Sequence, residues 1–375
     1  MVAVRALTMA TIGVLMVVAW AQPADACGGG GVTVQTGGAA IGAQRIFISV
    51  RGDKTDVITE VAVPATSADW GVLVPLPAQP TLDPEPVTTA DIDSLDRVTA
   101  PRVTVNDSGG GGCGCPVGAG SSKAGGTRGD AGVQVEPPVT IGPLTAVVLT
   151  GDTGAAVNSW LTDNGFVIPA AQASVVDTYA GAGRYFIALR RNVTAATGGA
   201  SSVGVHFSLP VATRALPLRF ARLGAAATVT FTLFIASGEV AAPTAPFVAL
   251  TLKDLDASTL RDGGGYAVAV QQAVNAHGGR AFVIESTQSS TELGASYLPR
   301  IQALIDPTAK LTRLTTILPA SALTDDVTFD ATFSGEVPRL RVVDNQPLRR
   351  DPLGPGLAVG IGLALAATVR RGRGG

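Results

Sequence analysis

Residues 44–75 alternate apolar and polar side chains with period two, and that pattern fixes what this part of the chain builds. Arg45-Ile46-Phe47-Ile48-Ser49-Val50 is one strand and Asp56 to Val63 a second, with Gly52-Asp53 as the turn between them. A third begins in Asp69-Trp70-Gly71-Val72-Leu73-Val74-Pro75-Leu76-Pro77. Pro75 and Pro77 lack backbone donors, so this strand is expected to end at an edge or leave the sheet.

The second half mixes strands with short helices. Asp152 or Thr153 caps a helix with Val157, Trp160 and Leu161 on one face, ended by Asn164-Gly165. A second helix is predicted near 170–180, with Val175, Val176 and Tyr179 on one side. Tyr185 to Leu189, Val203 to Leu209 and Thr228 to Ile235 read as strands. Tyr266, Val270, Ala273, Val274 and His277 recur at helical spacing until Gly278-Gly279, and Arg280 to Glu285 returns to strand. Pro299 to Ile305 is a short helix; 311–318 and 327–333 are late strands. Strands outnumber helices and follow one another, which predicts an α+β fold, mainly antiparallel β with several short helices.

Both ends read as addresses. Arg5, the apolar run Ala6 to Trp20 and Ala24-Asp25-Ala26 make a signal peptide over 1–26, cleaved between Ala26 and Cys27. A cysteine just after the cut also admits lipid modification, although Ala24 stands where such boxes carry a large aliphatic residue. Leu353 to Val369 is uncharged and is followed by Arg370-Arg371-Gly372-Arg373. As a helix it spans about 26 Å, just short of a bilayer core, and the trailing arginines place the tail in the cytoplasm. Residues 350–375 are therefore expected to be a transmembrane anchor with a basic tail, leaving the rest exported and outside the cytoplasmic membrane. Between the ends lie a β-rich part at 27–105, a Gly-rich insertion at 106–135 carrying Cys113-Gly114-Cys115, and an α+β part at 136–349.

Taken in order, several segments resemble one bacterial family. They are Ala26-Cys27-Gly28-Gly29, Ala43-Gln44-Arg45-Ile46, Asp69 to Pro77, Trp160-Leu161-Thr162-Asp163-Asn164-Gly165 and Arg184 to Leu189. Leu216-Pro217-Leu218-Arg219, Gly279 to Glu285 and Leu311-Thr312-Arg313-Leu314 complete the series. The series is similar to the family known as domain of unknown function 2330 and covers most of 26–333. The resemblance implies a secreted chain that often ends in a membrane anchor; it implies no activity. The Cys113 insertion departs from the family pattern.

Candidate chemistry is sparse. Three cysteines in an exported chain imply one disulfide among Cys27, Cys113 and Cys115 with one thiol left over. Alternatively, Cys113 and Cys115 form a redox or soft-metal pair. His206 sits in a strand pattern and His277 in a last helical turn, both placements that suit structure. Of the acids, Asp69, Asp262, Glu285 and Asp326 are candidates for paired-carboxylate chemistry, with Glu285 at the end of an apolar strand. Asp325-Asp326 and Asp91-x-Asp93 lack the spacing of an oxygen-ligand cation loop, and Gly263-Gly264-Gly265 lacks the Lys-Ser/Thr of a phosphate loop. Neither a Gly-x-Ser-x-Gly elbow nor Ser-x-x-Lys occurs. A net charge of −2 offers no basic surface for nucleic acid.

The sequence thus assigns no catalytic, cofactor or metal residue. It favours an exported, membrane-anchored cell-envelope protein that binds or scaffolds without catalysis, with the protein or glycan it meets left open. The alternatives are a carboxylate hydrolase using Glu285 or Asp69, and a thiol protein acting through Cys113 and Cys115. Intact mass of the protein from the cell envelope, alkylated without reduction, should report a chain of 27–375 with one free thiol. Two or three free thiols would overturn the disulfide, and a shortened C-terminus the anchor.

Overall fold

A computed structural model describes residues 30–33, 41–63, 70–106, 133–166, 168, 170–180, 184–191, 201–261, 265–293, 299–330 and 333–344. The expected signal peptide, the stretch at 107–132, all three cysteines, Asp69, Asp262 and the expected anchor lie outside the described residues. Among the described residues no helix is long and apolar enough to cross a membrane.

β1 (Gly30–Thr33) precedes a hairpin of β2 (Ile41–Arg51) and β3 (Lys54–Val63), turned at Gly52 with φ +60°. β4 (Trp70–Leu76) and the short β5 (Thr81–Leu82) follow. The alternation then gives way to a helix absent from the sequence reading, α1 (Thr89–Thr99). Its cap is reciprocal: the Thr88 hydroxyl accepts from the Asp91 N–H while the Asp91 carboxylate accepts from the Thr88 N–H.

β6 (Arg102–Asn106) leads to the undescribed stretch, after which come β7 (Val133–Val135), β8 (Val139–Ile141) and β9 (Leu144–Gly151). Thr153 caps α2 (Gly154–Asp163), which stops at Gly165 with φ +77°, and α3 (Ala170–Ala180) follows. The chain continues through β10 (Tyr185–Arg191), β11 (Ser201–Leu209), β12 (Ala215–Leu216), α4 (Leu218–Ala221) and the long β13 (Ala225–Ser237). Next are β14 (Ala242–Pro243), β15 (Val248–Thr251), α5 (Ala257–Arg261), α6 (Tyr266–Ala276) and β16 (Ala281–Ser289). Last come α7 (Pro299–Gln302), β17 (Lys310–Pro319), β18 (Val327–Asp330) and β19 (Leu340–Asp344).

Two sheets carry the fold. Sheet I runs β1-β4-β10-β9-β7, with β8 also on β9. Sheet II runs β15-β16-β17-β13-β2-β3-β11-β5. Pairing is antiparallel except β13 with β2 and β15 with β16 in sheet II, the latter pair joined through α5 and α6, so the class is α+β with mixed, mostly antiparallel sheets. Strands from before and after the insertion are hydrogen-bonded into the same two sheets. β4 lies inside sheet I, yet Pro75 pairs only with Phe186, because β1 reaches no further than Leu73. The missing donor therefore falls where a described neighbour lies on one side alone.

Alternation along each strand sorts the side chains into layers. Val72, Val74, Ile187 and Leu189 of sheet I meet Val61, Val203, Val205 and Phe207 of sheet II. Sheet I turns its other face, Leu73, Leu149 and Phe186, to Trp160 and Leu161 of α2 and Val176 of α3. Sheet II turns Phe47, Ile58 and Phe234 to Ile92 and Leu95 of α1 and Ile301 of α7. Helix, sheet, sheet, helix is the resulting stack. A small sheet, β12-β18-β14, shares a core with β13 through Leu216, Val327, Phe329, Phe231 and Leu233. Separately, β6 and β19 pair in parallel, from Arg102 opposite Leu340 to Asn106 opposite Asp344.

A tight joint lies where the entry to α1 crosses β11. Val87 and Gly204 exchange backbone hydrogen bonds of 2.9 and 2.8 Å. A Cβ on Gly204 would stand 2.8 Å from the Val87 Cβ and 3.0 Å from Ile58 Cγ2, too close for either backbone to stay put. Gly204→Ala should therefore destabilise the fold by about 1–3 kcal/mol, seen as a lower denaturant midpoint. An unchanged midpoint would refute this joint.

Candidate functional site

Where sheet II, the end of β4 and the small sheet meet, the stack leaves a cavity of about 170 Å³. Its floor is Ile46, Ile48, Val57 and Phe231 of sheet II, its walls Val74 to Pro77, and its lid Leu216, Pro217 and Ala221. A gap here follows from the parts. β12 and β18 pair over two residues only, and beside Leu216 the lid offers Pro217 and Ala221, too short to reach down and fill it.

Of the uncharged polar side chains that line it, Gln44 and Thr59 are buried. Among the described residues the Thr59 hydroxyl finds no hydrogen-bond partner, a deficit worth about 1–3 kcal/mol. Arg184 and Asp326, both half-buried, form the polar end. Asp326 is heavily engaged: the Tyr179 hydroxyl donates to its carboxylate at 2.6 Å and the Arg219 N–H at 3.1 Å, with the Arg219 guanidinium at 3.5 Å. Burial, reinforced by Asp326, pushes the Tyr179 phenol well above its ordinary pKa, so it stays a donor. Arg184 lies over the Tyr179 ring at 5.1 Å, and among the described residues no carboxylate comes within 4 Å of it.

The other polar clusters are internal ties. Glu285 is the extra residue of a bulge in β16, since pairing steps from Ile284–Leu314 to Ser286–Arg313. The bulge turns its carboxylate inward, where the Tyr266 hydroxyl donates at 2.5 Å and the Arg313 Nε also donates. Glu285 is 1% exposed and sits in the middle of β16, not at the end of the strand where the sequence pattern put it. Arg313 also donates to Asp96 and, at 3.2 Å, to Thr99 of α1. Beside it, Arg45 grips Glu60 with two bonds of 2.6 and 2.7 Å and reaches Asp93 at 2.7 Å. Burial disfavours the charge on Arg45, but Glu60 and Asp93 outweigh it and raise its pKa.

His206 is held between two acids, Nδ1 at 3.0 Å from Asp83 and Nε2 at 3.3 Å from Asp56. Asp56 also takes Ser208 at 2.7 Å and Arg51 at 2.5 Å, and Asp83 takes Arg300 of α7 at 2.9 Å, with Glu85 3.2 Å from that arginine. The cluster pins β3, β11, the 83–87 segment and α7 together.

Of the remaining sequence candidates, Asp91 caps α1, Asp93 pairs with Arg45 and Asp325 with Arg280. His277 Nδ1 lies 2.9 Å from the Ala273 carbonyl at the end of α6, and Gly265, with φ +82°, is that helix's N-cap. Cys27, Cys113, Cys115, Asp69 and Asp262 fall outside the described residues. Among the described residues no three His, Cys, Asp or Glu side chains are grouped to hold a metal ion. The cavity itself was missed by the sequence reading. It has no local signal, because its lining comes from strands far apart in the chain.

The profile of a family described as an uncharacterized protein conserved in bacteria (DUF2330) matches residues 23–330. No curated protein and no solved structure matches the chain.

The histidine cluster makes stability depend on pH. Burial works against the charge on His206, but the hydrogen bonds to Asp56 and Asp83 outweigh it and raise its pKa above 6.5. Its contribution is complete below pH 6.5 and is lost as pH rises through the raised value. Burial likewise opposes ionisation of Asp56 and Asp83, yet His206 and the arginines draw both below 3.8, so their contribution is lost only as pH falls through the lowered values. Denaturant midpoints should therefore plateau between about pH 4 and pH 6.5 and decline above it. His206→Gln should flatten the alkaline decline; the same decline in both proteins would exclude His206 as its source.

Proposed function

The chain belongs to the bacterial DUF2330 family, and on that premise we propose that it is an exported cell-envelope protein whose described domain binds a small molecule without transforming it. The cavity carries this reading. A close-packed interior does not ordinarily leave an apolar space of about 170 Å³ bordered by a hydroxyl with an unmet hydrogen bond. An apolar ligand with one polar atom satisfies both. The strongest sequence candidate for catalysis supports the same reading: Glu285 is consumed by Arg313 and Tyr266, away from this cavity.

The address comes from the ends of the sequence. A signal peptide over 1–26 exports the chain, and a C-terminal helix within 350–375 holds it in the cytoplasmic membrane with the basic tail inside. The membrane is thus its first partner, and the cavity faces the outside of the cytoplasmic membrane. The mass measurement of the envelope protein tests this address.

An engineered cavity of about 150 Å³ accepts benzene, which makes benzene a fitting neutral probe. At benzene concentrations well above its Kd the thermal midpoint of the domain should rise by a few degrees, and Ala221→Leu, which fills the lid side, should abolish the rise. No rise in the unmodified protein, or an equal rise in Ala221→Leu, would overturn the cavity as the binding site.

A further inference from the structure

Resting on the cavity as the binding site, we infer that its ligand is a small amphipathic organic anion, with an apolar body inside the cavity and its carboxylate on Arg184. The evidence is a charge imbalance at the polar end. Arg184 and Asp326 line that end, with Arg219 beside Asp326, while the neighbouring Asp325 is tied to Arg280. Asp326 and Arg219 face each other at 3.5 Å, and Asp326 is further neutralised by the Tyr179 hydroxyl and the Arg219 N–H. Arg184 is the cation left over: it stacks on Tyr179 and, among the described residues, meets no acid within 4 Å.

A half-buried guanidinium without an acid is costly, and a planar carboxylate matches its fork. A cationic ligand would meet the opposite situation, since the nearby carboxylate, Asp326, already accepts from the Tyr179 hydroxyl and the Arg219 N–H and faces the Arg219 guanidinium. Arg184 lies over the Tyr179 ring, whose hydroxyl is held in turn by Asp326, so the cation sits on a positioned support. Size limits the body of the ligand. A space slightly larger than one that holds benzene takes a chain or ring of about six carbons.

Titration calorimetry at low salt and pH 7 tests this with hexanoate, its neutral isostere hexanamide, hexylammonium and benzene. Hexanoate should bind about tenfold more tightly than hexanamide, and hexylammonium more weakly than either. Arg184→Gln should bring hexanoate to the level of hexanamide while leaving benzene unchanged, and Arg184→Lys should keep part of the preference. An unchanged benzene affinity also shows that the variants still form the cavity. Equal binding of hexanoate and hexanamide, or a preference that survives Arg184→Gln, would overturn the anion inference and leave the cavity reading standing. Failure of all four probes, benzene included, would overturn both.

Discussion

Two glutamates lie almost wholly out of water on one face of sheet II, Glu60 and Glu285, and each is answered by one arginine, Arg45 and Arg313. Taking a carboxylate out of water costs several kcal/mol unless a partner and the remaining lone pairs are supplied on the spot. Here the supply is completed by α1, whose Asp93 and Asp96 share the arginines and whose Thr99 accepts from Arg313. The sheet cannot close that face without the helix, and the helix has no other seat for its acids. Removing one member would strand a buried charge at a cost of about 3–5 kcal/mol, far more than the pair contributes over two apolar residues of like size. The network therefore acts as a specificity device: it dictates which helix covers which part of the sheet.

With that face fixed, the opposite face of the same strands is fixed too, because alternation leaves no choice of register. Phe47 and Ile58 lie toward α1, so Ile46, Ile48, Val57 and Thr59 must face the cavity. The cavity floor is thus the reverse side of the ion-pair network. Its walls belong to other elements, and Pro75, Pro77 and Pro217 keep them from closing over the floor.

The sequence displays strands well where one face is wet or where caps punctuate them. Thr153, Gly165 and Gly278 marked helix ends that the structure places there. The helix α1 was legible in principle, in Thr88-x-x-Asp91 followed by Ile92 and Leu95, but its acids drew attention as cation ligands instead. Glu285 was misplaced because a bulge reverses the direction of one side chain without leaving a trace in composition. The cavity and the stacked Arg184 lay beyond reach for a different reason. Residues 44, 59, 184, 221 and 326 converge only through sheet pairing, and no spacing along the chain reports it.

The parallel pairing of β6 and β19 has its own reach. Because both strands run the same way, Asn106 and Asp344 end side by side, one strand spacing of about 4.8 Å apart. The described chain therefore breaks off after Asn106 and after Asp344 at one point on the domain. A pull on Asp344 is felt at once at Asn106, because the two strand ends share one ladder. Asn106 and Asp344 are in this sense neighbours, although 238 positions separate them along the chain.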